Sequence, residues 1–196
     1  MEWKVQMNKY KIVALFGEAG SGKDYIQKKI METDFGKKNL SEIISCTTRP
    51  PREGEIDGVH YHFIPTTTEF FNGYNMARWI EFANFRNWWY GTSIDHLDKN
   101  KINIGVFNIK GINQILEDEE IDCLPIRILC YDKLRLIRQL NREIDPDCME
   151  IIRRFLTDSK DFLNIPFEYK MIENNTNEII PVLNDIQSYI KEKWSI

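Results

Sequence analysis

The sequence predicts an α/β protein with a mainly parallel sheet, on three observations. Short β-branched runs alternate with segments of helical period. The runs are apolar without alternation, as in strands covered on both faces. No internal repeat or low-complexity linker interrupts them. The first strand is "KIVALF" (residues 11–16), and the glycine-rich loop after it opens a helix over about 24–32. "EIISC" reads as a second strand, "INIGVFNI" as a third and "PIRILCY" as a fourth. Leu134, Ile137 and Leu140 mark one helix, and Asp145-Pro146 reads as the N-cap and first turn of the next. "TNEIIPVLNDIQSYIKEKW" predicts a C-terminal helix with Pro181 near its first turns, where a missing N–H is tolerated. Two stretches break the alternation. Between Tyr61 and Thr92, "YHFI", a small helix at "TTTEFF" and the aromatic "RWIEFANFRNWWYGT" read as a compact antiparallel insertion, and a second patch lies around 141–155.

A chain of 196 residues with a 42% hydrophobic share is long enough to bury one proper core, with inserted subdomains. Its formal net charge of −4 argues against a nucleic-acid coat or a polybasic membrane anchor, because both need extended positive surface. Any basic site is therefore local. Cys46, Cys123, Cys130 and Cys148 show no CxxC spacing and no partner histidines, which reads as reduced thiols in a cytoplasmic protein and not as zinc ligands. The N-terminal residues hold no cleavable apolar core, and no apolar run approaches the ~20 residues of a spanning helix.

The first chemical motif is "GEAGSGKD", Gly17 to Asp24, with G-x-x-x-x-G-K spacing between a predicted strand and a predicted helix. Glycines let successive backbone N–H groups converge on phosphate oxygens at a helix N-terminus. Gly17, Ala19, Gly20, Ser21, Gly22, Lys23 and Asp24 are the candidate ATP phosphate-binding residues, and Lys23 brings positive charge to the phosphoryl being moved. Asp24 stands where the pattern has Ser or Thr. Its carboxylate is a hard oxygen ligand for Mg²⁺ or one of its waters, or it caps the helix N-terminus; the placement suits both.

Downstream, "SCTTRPPREGEIDGVHYHF" puts two guanidinium forks three residues apart on a turn stiffened by Pro50 and Pro51. An isolated R-x-x-R is ordinarily a pair of solvated surface arginines. Beside an ATP site, Arg49 and Arg52, with the Tyr61 hydroxyl, suggest instead a second phosphate, that of a nucleoside monophosphate acceptor.

These residues make the chain similar to the guanylate kinases. The stretch just quoted resembles the family's S-x-[ST]-T-R-x-x-R-x-G-E-x-x-G-x-x-Y-x-F, and "WIEFANFRNWWYGT" resembles F-[IV]-E-[WF]-A-x-[FV] followed by Y-G-[ST]. With the phosphate loop, the match runs from residue 11 to about 111. The resemblance implies a P-loop nucleoside monophosphate kinase fold: a parallel-sheet core (1–45, 97–140 and 156–196), an antiparallel monophosphate-binding insertion (46–96) and a helical lid (about 141–155), all in one domain. It implies transfer of the γ-phosphoryl of ATP to GMP or dGMP with Mg²⁺, in a monomer or homodimer. It places Ser45 and Glu81 at guanine, Arg49, Arg52, Tyr61 and Tyr90 at the monophosphate, and Thr92 in support of the base.

A carboxylate at position 81 makes chemical sense for guanine, since it accepts from both N1–H and the 2-amino group, whereas adenine presents an unprotonated N1. That mismatch strands a buried polar group at a cost of about 1–3 kcal/mol. Read without the resemblance, Glu81 is one charge on the wet face of a strand in which Trp79, Glu81 and Ala83 alternate with Ile80, Phe82 and Asn84. Trp88 and Trp89 read as core.

The family's strand ending L-D-x-D ahead of a glycine is "VFNIKG" here, which sets Val106 and Asn108 at the two acidic positions. Asp24 is a candidate to restore part of the charge lost. In the lid, phosphoryl transfer needs arginines that meet developing charge and exclude water. At ~100° per residue, Arg135, Arg138 and Arg142 share one helix face. Arg138 and Arg142 resemble the family's lid arginines, and Arg153 or Arg154 the later one, so Lys23, Arg138, Arg142 and Arg154 are the expected catalytic set. His60, His62 and His96 read as surface or packing residues, and "EDEEID" as a solvated helix end and loop. Two alternatives stay open: a binding module of the membrane-associated guanylate kinase-like type, and a nucleotide kinase of altered base specificity.

Overall fold

Every residue from Ile12 to Phe16 is fully buried, which requires the first strand to be covered on both faces. The computed structural model describes residues 9–73, 78–85, 87–142, 144–176 and 178–196. The N-terminal segment read above for a leader, and Arg86 and Glu143 within the predicted insertion and lid, lie outside the described residues. β1 (Tyr10–Phe16) is flanked in parallel by β7 (Ile102–Val106) and β8 (Ile121–Leu129); β2 (Leu40–Glu42) and β9 (Lys170–Glu173) complete an all-parallel sheet of order β2-β7-β1-β8-β9.

The period of two along β1 divides the core. Val13 and Leu15 face α1 (Lys23–Glu32) and α6 (Ile179–Trp194), which contribute Ile26, Ile30, Val182, Leu183, Ile186 and Ile190. Ile12, Ala14 and Phe16 face α3 (Ile109–Glu117), which contributes Ile112 and Ile115 at helical spacing. Each fully buried Val, Leu, Ile or Phe among them contributes about 1.5–3 kcal/mol.

"EIISC" does not form one strand. β2 ends at Glu42, and β3 (Cys46–Thr47) belongs to a second sheet. That sheet has the order β4-β3-β6-β5, from β4 (His62–Phe63), β5 (Trp79–Phe85) and β6 (Trp88–Ser93). It is antiparallel across β3/β6 and β6/β5, but β4 pairs in parallel with β3. Cys46, Ile64 and Phe70 form its own small core, with Trp79 and Trp89 packed against it, whereas Trp88 is exposed. The helix predicted at "TTTEFF" is a single π-type turn over Glu69–Gly73.

The helices differ from expectation at their ends. α4 (Asp132–Leu140) stops before Arg142, so Arg142 leaves the helix face it was predicted to share with Arg135 and Arg138. α5 (Cys148–Asp161) is capped by Asp147, whose carboxylate accepts from Glu150 N, and not by Asp145. α2 (Asp34–Asn39) and β9 have no counterpart in the sequence reading; Thr33 caps α2 by accepting from Gly36 N at 3.0 Å. The acidic run near 118–120 is not merely solvated, because Asp118 and Glu120 both receive Arg78 of the insertion.

Candidate active site

The carboxyl ends of parallel strands are where an open α/β sheet leaves a crevice. β1 ends there in the loop Gly17–Asp24, and Gly22, in the left-handed region at φ 95°, turns the chain into α1 at Lys23. The left-handed φ is what calls for glycine there, and a side chain at Gly22 would also meet Asn174 Nδ2 at 2.6 Å. Asn174, 5% exposed, donates from Nδ2 to Ser21 O at 2.8 Å and holds the loop from β9's end. Arg138 reaches the same carbonyl at 3.4 Å and also donates to Asn174 O at 3.3 Å and Cys130 Sγ at 3.2 Å. Glu18 pairs with Arg127 of β8 at 2.6 Å. Lys23 is half-buried and Asp24 exposed in the first turn of α1.

The insertion builds a second constellation. Thr92 Oγ1 donates to Glu81 Oε1 at 2.8 Å, and Ser45 Oγ lies 3.1 Å from Thr92 Oγ1, so the three residues expected at the base form one chain. A register shift between Trp79 and Glu81 explains why Glu81 is 8% exposed beside buried Ile80: the bulge turns a side chain inward that strict alternation would leave on Trp79's face. Burial pushes the Glu81 carboxyl up to about 7, against the lowering effect of the Thr92 hydroxyl and backbone.

Arg49, Tyr61 and Tyr90 also converge. The guanidinium lies 5.5 Å from the Tyr61 ring centroid, and the Tyr61 and Tyr90 rings meet edge to face at 6.0 Å. The arginine fork is engaged by Glu55, at 2.9 Å to each carboxylate oxygen, and by Pro50 O at 2.7 Å. Arg49's fork, then the Arg52 backbone N–H at 2.7 Å, hold the Glu55 carboxyl down at about 2. Glu55 is thus an internal anion on the fork expected to receive phosphate. The Arg52 side chain is exposed on the same loop. Burial, then Tyr90, raises the Tyr61 phenol, leaving a hydrogen-bond donor at neutral pH.

One cavity of about 170 Å³ joins the two constellations, lined by Asp24 from the phosphate loop, Ser45 where the core passes into the insertion, Tyr61 of the insertion, and Val106 at the end of β7. Asn108, the other departure from the family pattern, caps α3 by accepting from Gly111 N at 2.7 Å, a role an uncharged amide fills. Arg142 and Arg154 stand apart. They line a smaller cleft with Gln139 and Glu150, Arg154 donates to Glu150 at 2.8 Å, and neither bonds the phosphate loop among the described residues. His62 packs against His96 with ring centroids 4.2 Å apart, and His60 accepts from Ile56 N, so these histidines make packing or turn contacts.

Glu55, Asn174 and Asp158 are site neighbours that the sequence reading did not single out, and Arg135 was read there only for the helix face it shares. Glu55 lies inside the quoted arginine stretch and carried a signal, as an acid three residues after Arg52. The others act through contacts more than twenty residues away in sequence, or further, which no local pattern reveals.

Comparison with known proteins shows what the chain as a whole is similar to. The guanylate kinase family profile matches residues 9–192. The guanylate kinase of Francisella tularensis subsp. tularensis (strain FSC 198) is 32% identical over 167 residues, covering 85% of this chain and 83% of the relative. That of Campylobacter jejuni (strain RM1221) is 27% identical over 180 residues, covering 89% and 86%. The crystal structure of guanylate kinase from Anaplasma phagocytophilum shares the fold, with a TM-score of 0.64 at 18% identity over 95% of this chain and 87% of that one.

Proposed function

The chain belongs to the guanylate kinase family, and from that premise we propose that it transfers the γ-phosphoryl group of ATP to GMP or dGMP, giving ADP and GDP or dGDP. The observation that carries this reading is the shared cavity, which sets Asp24 of the phosphate loop against Ser45 at the edge of the insertion and Tyr61 within it. Donor and acceptor phosphates bound at its two sides would be neighbours, and proximity supplies most of what phosphoryl transfer needs. Lys23 and Arg138 stabilise the transferring group, and closure of the α4–α5 segment brings Arg142 and Arg154 toward it. Arg49, Arg52, Tyr61 and Tyr90 orient the acceptor phosphate, while Ser45, Glu81 and Thr92 select the base. No general base is required, because the acceptor is already an oxyanion.

Magnesium fits with few protein ligands. No group of three or more His, Cys, Asp or Glu among the described residues forms a cage, and Mg²⁺ is commonly held by one or two carboxylates plus substrate phosphates. Asp24 would supply that carboxylate. The ion, when bound, neutralises phosphate charge. No helix among the described residues is long and apolar enough to cross a membrane, and we place the protein in the cytoplasm. The intact phosphate loop weighs against a binding module that has lost catalysis.

The test is ADP formation with ATP, Mg²⁺ and each common ribo- and deoxyribonucleoside monophosphate in turn. Turnover confined to GMP and dGMP supports the reading. Turnover on another base keeps the phosphoryl transfer and overturns the guanine assignment, and no turnover with any acceptor overturns the kinase.

Two further results are expected. Arg49→Lys replaces a bidentate fork by a point charge and raises the KM for GMP by roughly 10–100-fold, with the KM for ATP little changed; steady-state kinetics at saturating co-substrate check this. Guanine donors favour ionised Glu81, which burial holds near 7 in the free protein. GMP binding at pH 6.5 therefore releases a proton from this site, and affinity rises with pH through about 7. Calorimetry in two buffers of different ionisation heat measures the release, and Glu81→Gln should abolish the Glu81 share; an unchanged release in the variant contradicts the assignment.

A further inference from the structure

Arg135 is 3% exposed, yet it belongs to none of the roles above. It donates from Nε to Ala19 O in the phosphate loop at 3.0 Å, from one terminal nitrogen to Asp132 at 2.9 Å and from the other to Asp158 Oδ2 at 3.1 Å, with its guanidinium 4.7 Å from the Phe155 ring centroid. The same Asp158 oxygen accepts from Ala19 N at 2.6 Å. α4 lies so close that a side chain at Gly20 would meet Arg135 O at 2.6 Å. A buried guanidinium and a carboxylate thus grip both polar backbone groups of one loop residue, from two different helices.

A carboxylate on this loop is chemically awkward. The loop gathers N–H groups to receive anions, and a negative charge hydrogen-bonded to one of them repels a phosphate unless a cation neutralises it. Arg135 is the cation in contact with it; Asp132, the other carboxylate on Arg135, is largely exposed to solvent. We propose that Arg135 and Asp158 are positioning residues that form a charge-balanced clamp on the phosphate loop and set its affinity for nucleotide phosphate. This rests on reading the loop as the nucleotide phosphate site.

Electrostatic and purely structural roles differ in sign. Arg135→Met leaves the Asp158 carboxylate uncompensated against the loop and weakens ADP binding by about tenfold or more. Asp158→Asn keeps an acceptor for Ala19 N–H, leaves Arg135 held by Asp132 and removes the repelling charge, so ADP binds several-fold tighter. In the double variant the asparagine recovers part of what Arg135→Met loses.

Titration calorimetry with ADP on the purified full chain tests this, with thermal melting recorded for each variant. Opposite signs for the two single variants, together with partial recovery in the double, are the result expected. Weaker binding in both, tracking a lower melting temperature and with no recovery, would reduce the pair to a structural brace and overturn the proposal. If Arg135→Met does not fold, the sign for Asp158→Asn alone decides. Wild-type protein that binds no ADP fails the kinase reading itself and takes the proposal with it, which is distinct from binding without the predicted signs.

Discussion

Lys23→Ala is expected to lower kcat by roughly 10²–10³-fold while leaving the melting temperature close to wild type. Lys23 is the first residue of α1, directly after the left-handed Gly22, so the turn fixes its backbone at the carboxyl end of β1. Its side chain is half-buried and carries no part of either hydrophobic core. The loss should therefore appear in turnover, where charge on the moving phosphoryl is greatest, and not in folding. Single-turnover measurement at saturating ATP and GMP, beside thermal melting, separates the two. A loss of only a few-fold in a folded variant would remove Lys23 from the mechanism.

Glu81→Gln should move activity and stability in opposite directions. The amide keeps an acceptor for Thr92 Oγ1 but turns N–H donors toward the N1–H and 2-amino donors of guanine, and kcat/KM for GMP falls by about 10³–10⁴-fold. The stability effect follows from linkage. Glu81's folded value near 7 stands above its ordinary 4.5, so the native state holds a proton that the unfolded chain releases. That stabilises at low pH, and the advantage is lost as pH rises through 7. Between pH 5 and 8 the wild type should lose roughly 2 kcal/mol relative to the variant, which carries no titrating group there. Melting curves of both proteins at pH 5 and pH 8 check this; parallel behaviour across that range contradicts a buried, reluctantly ionised Glu81.

The phosphate loop could be read from the sequence because its chemistry needs contiguous residues: the glycines, Lys23 and the flanking strand and helix all lie within one short window. The arginine stretch was legible for the same reason, and the structure gathers Arg49 with Tyr61 and Tyr90, and Ser45 with Thr92 and Glu81. What escaped depended on geometry that no local pattern encodes. Alternation put Glu81 on Trp79's face, and only the register shift in β5 explains its burial. Periodicity continued α4 through Arg142, whereas the helix stops at Leu140. Asp145-Pro146 has the composition of a helix start, but Asp147 does the capping two residues later. Asn174 and the Arg135–Asp158 clamp arise where β9, α4 and α5 meet the phosphate loop, and such meetings are properties of the assembled core.

In the proposed reaction a phosphoryl group passes from one side of the shared cavity to the other. Phosphorus-31 NMR of ATP, Mg²⁺ and GMP incubated with the protein follows every phosphate directly. ADP and GDP are expected to appear in equal amounts with no accumulation of inorganic phosphate; ATP consumed to ADP and inorganic phosphate, or left intact beside unchanged GMP, would rule out transfer between the two sites.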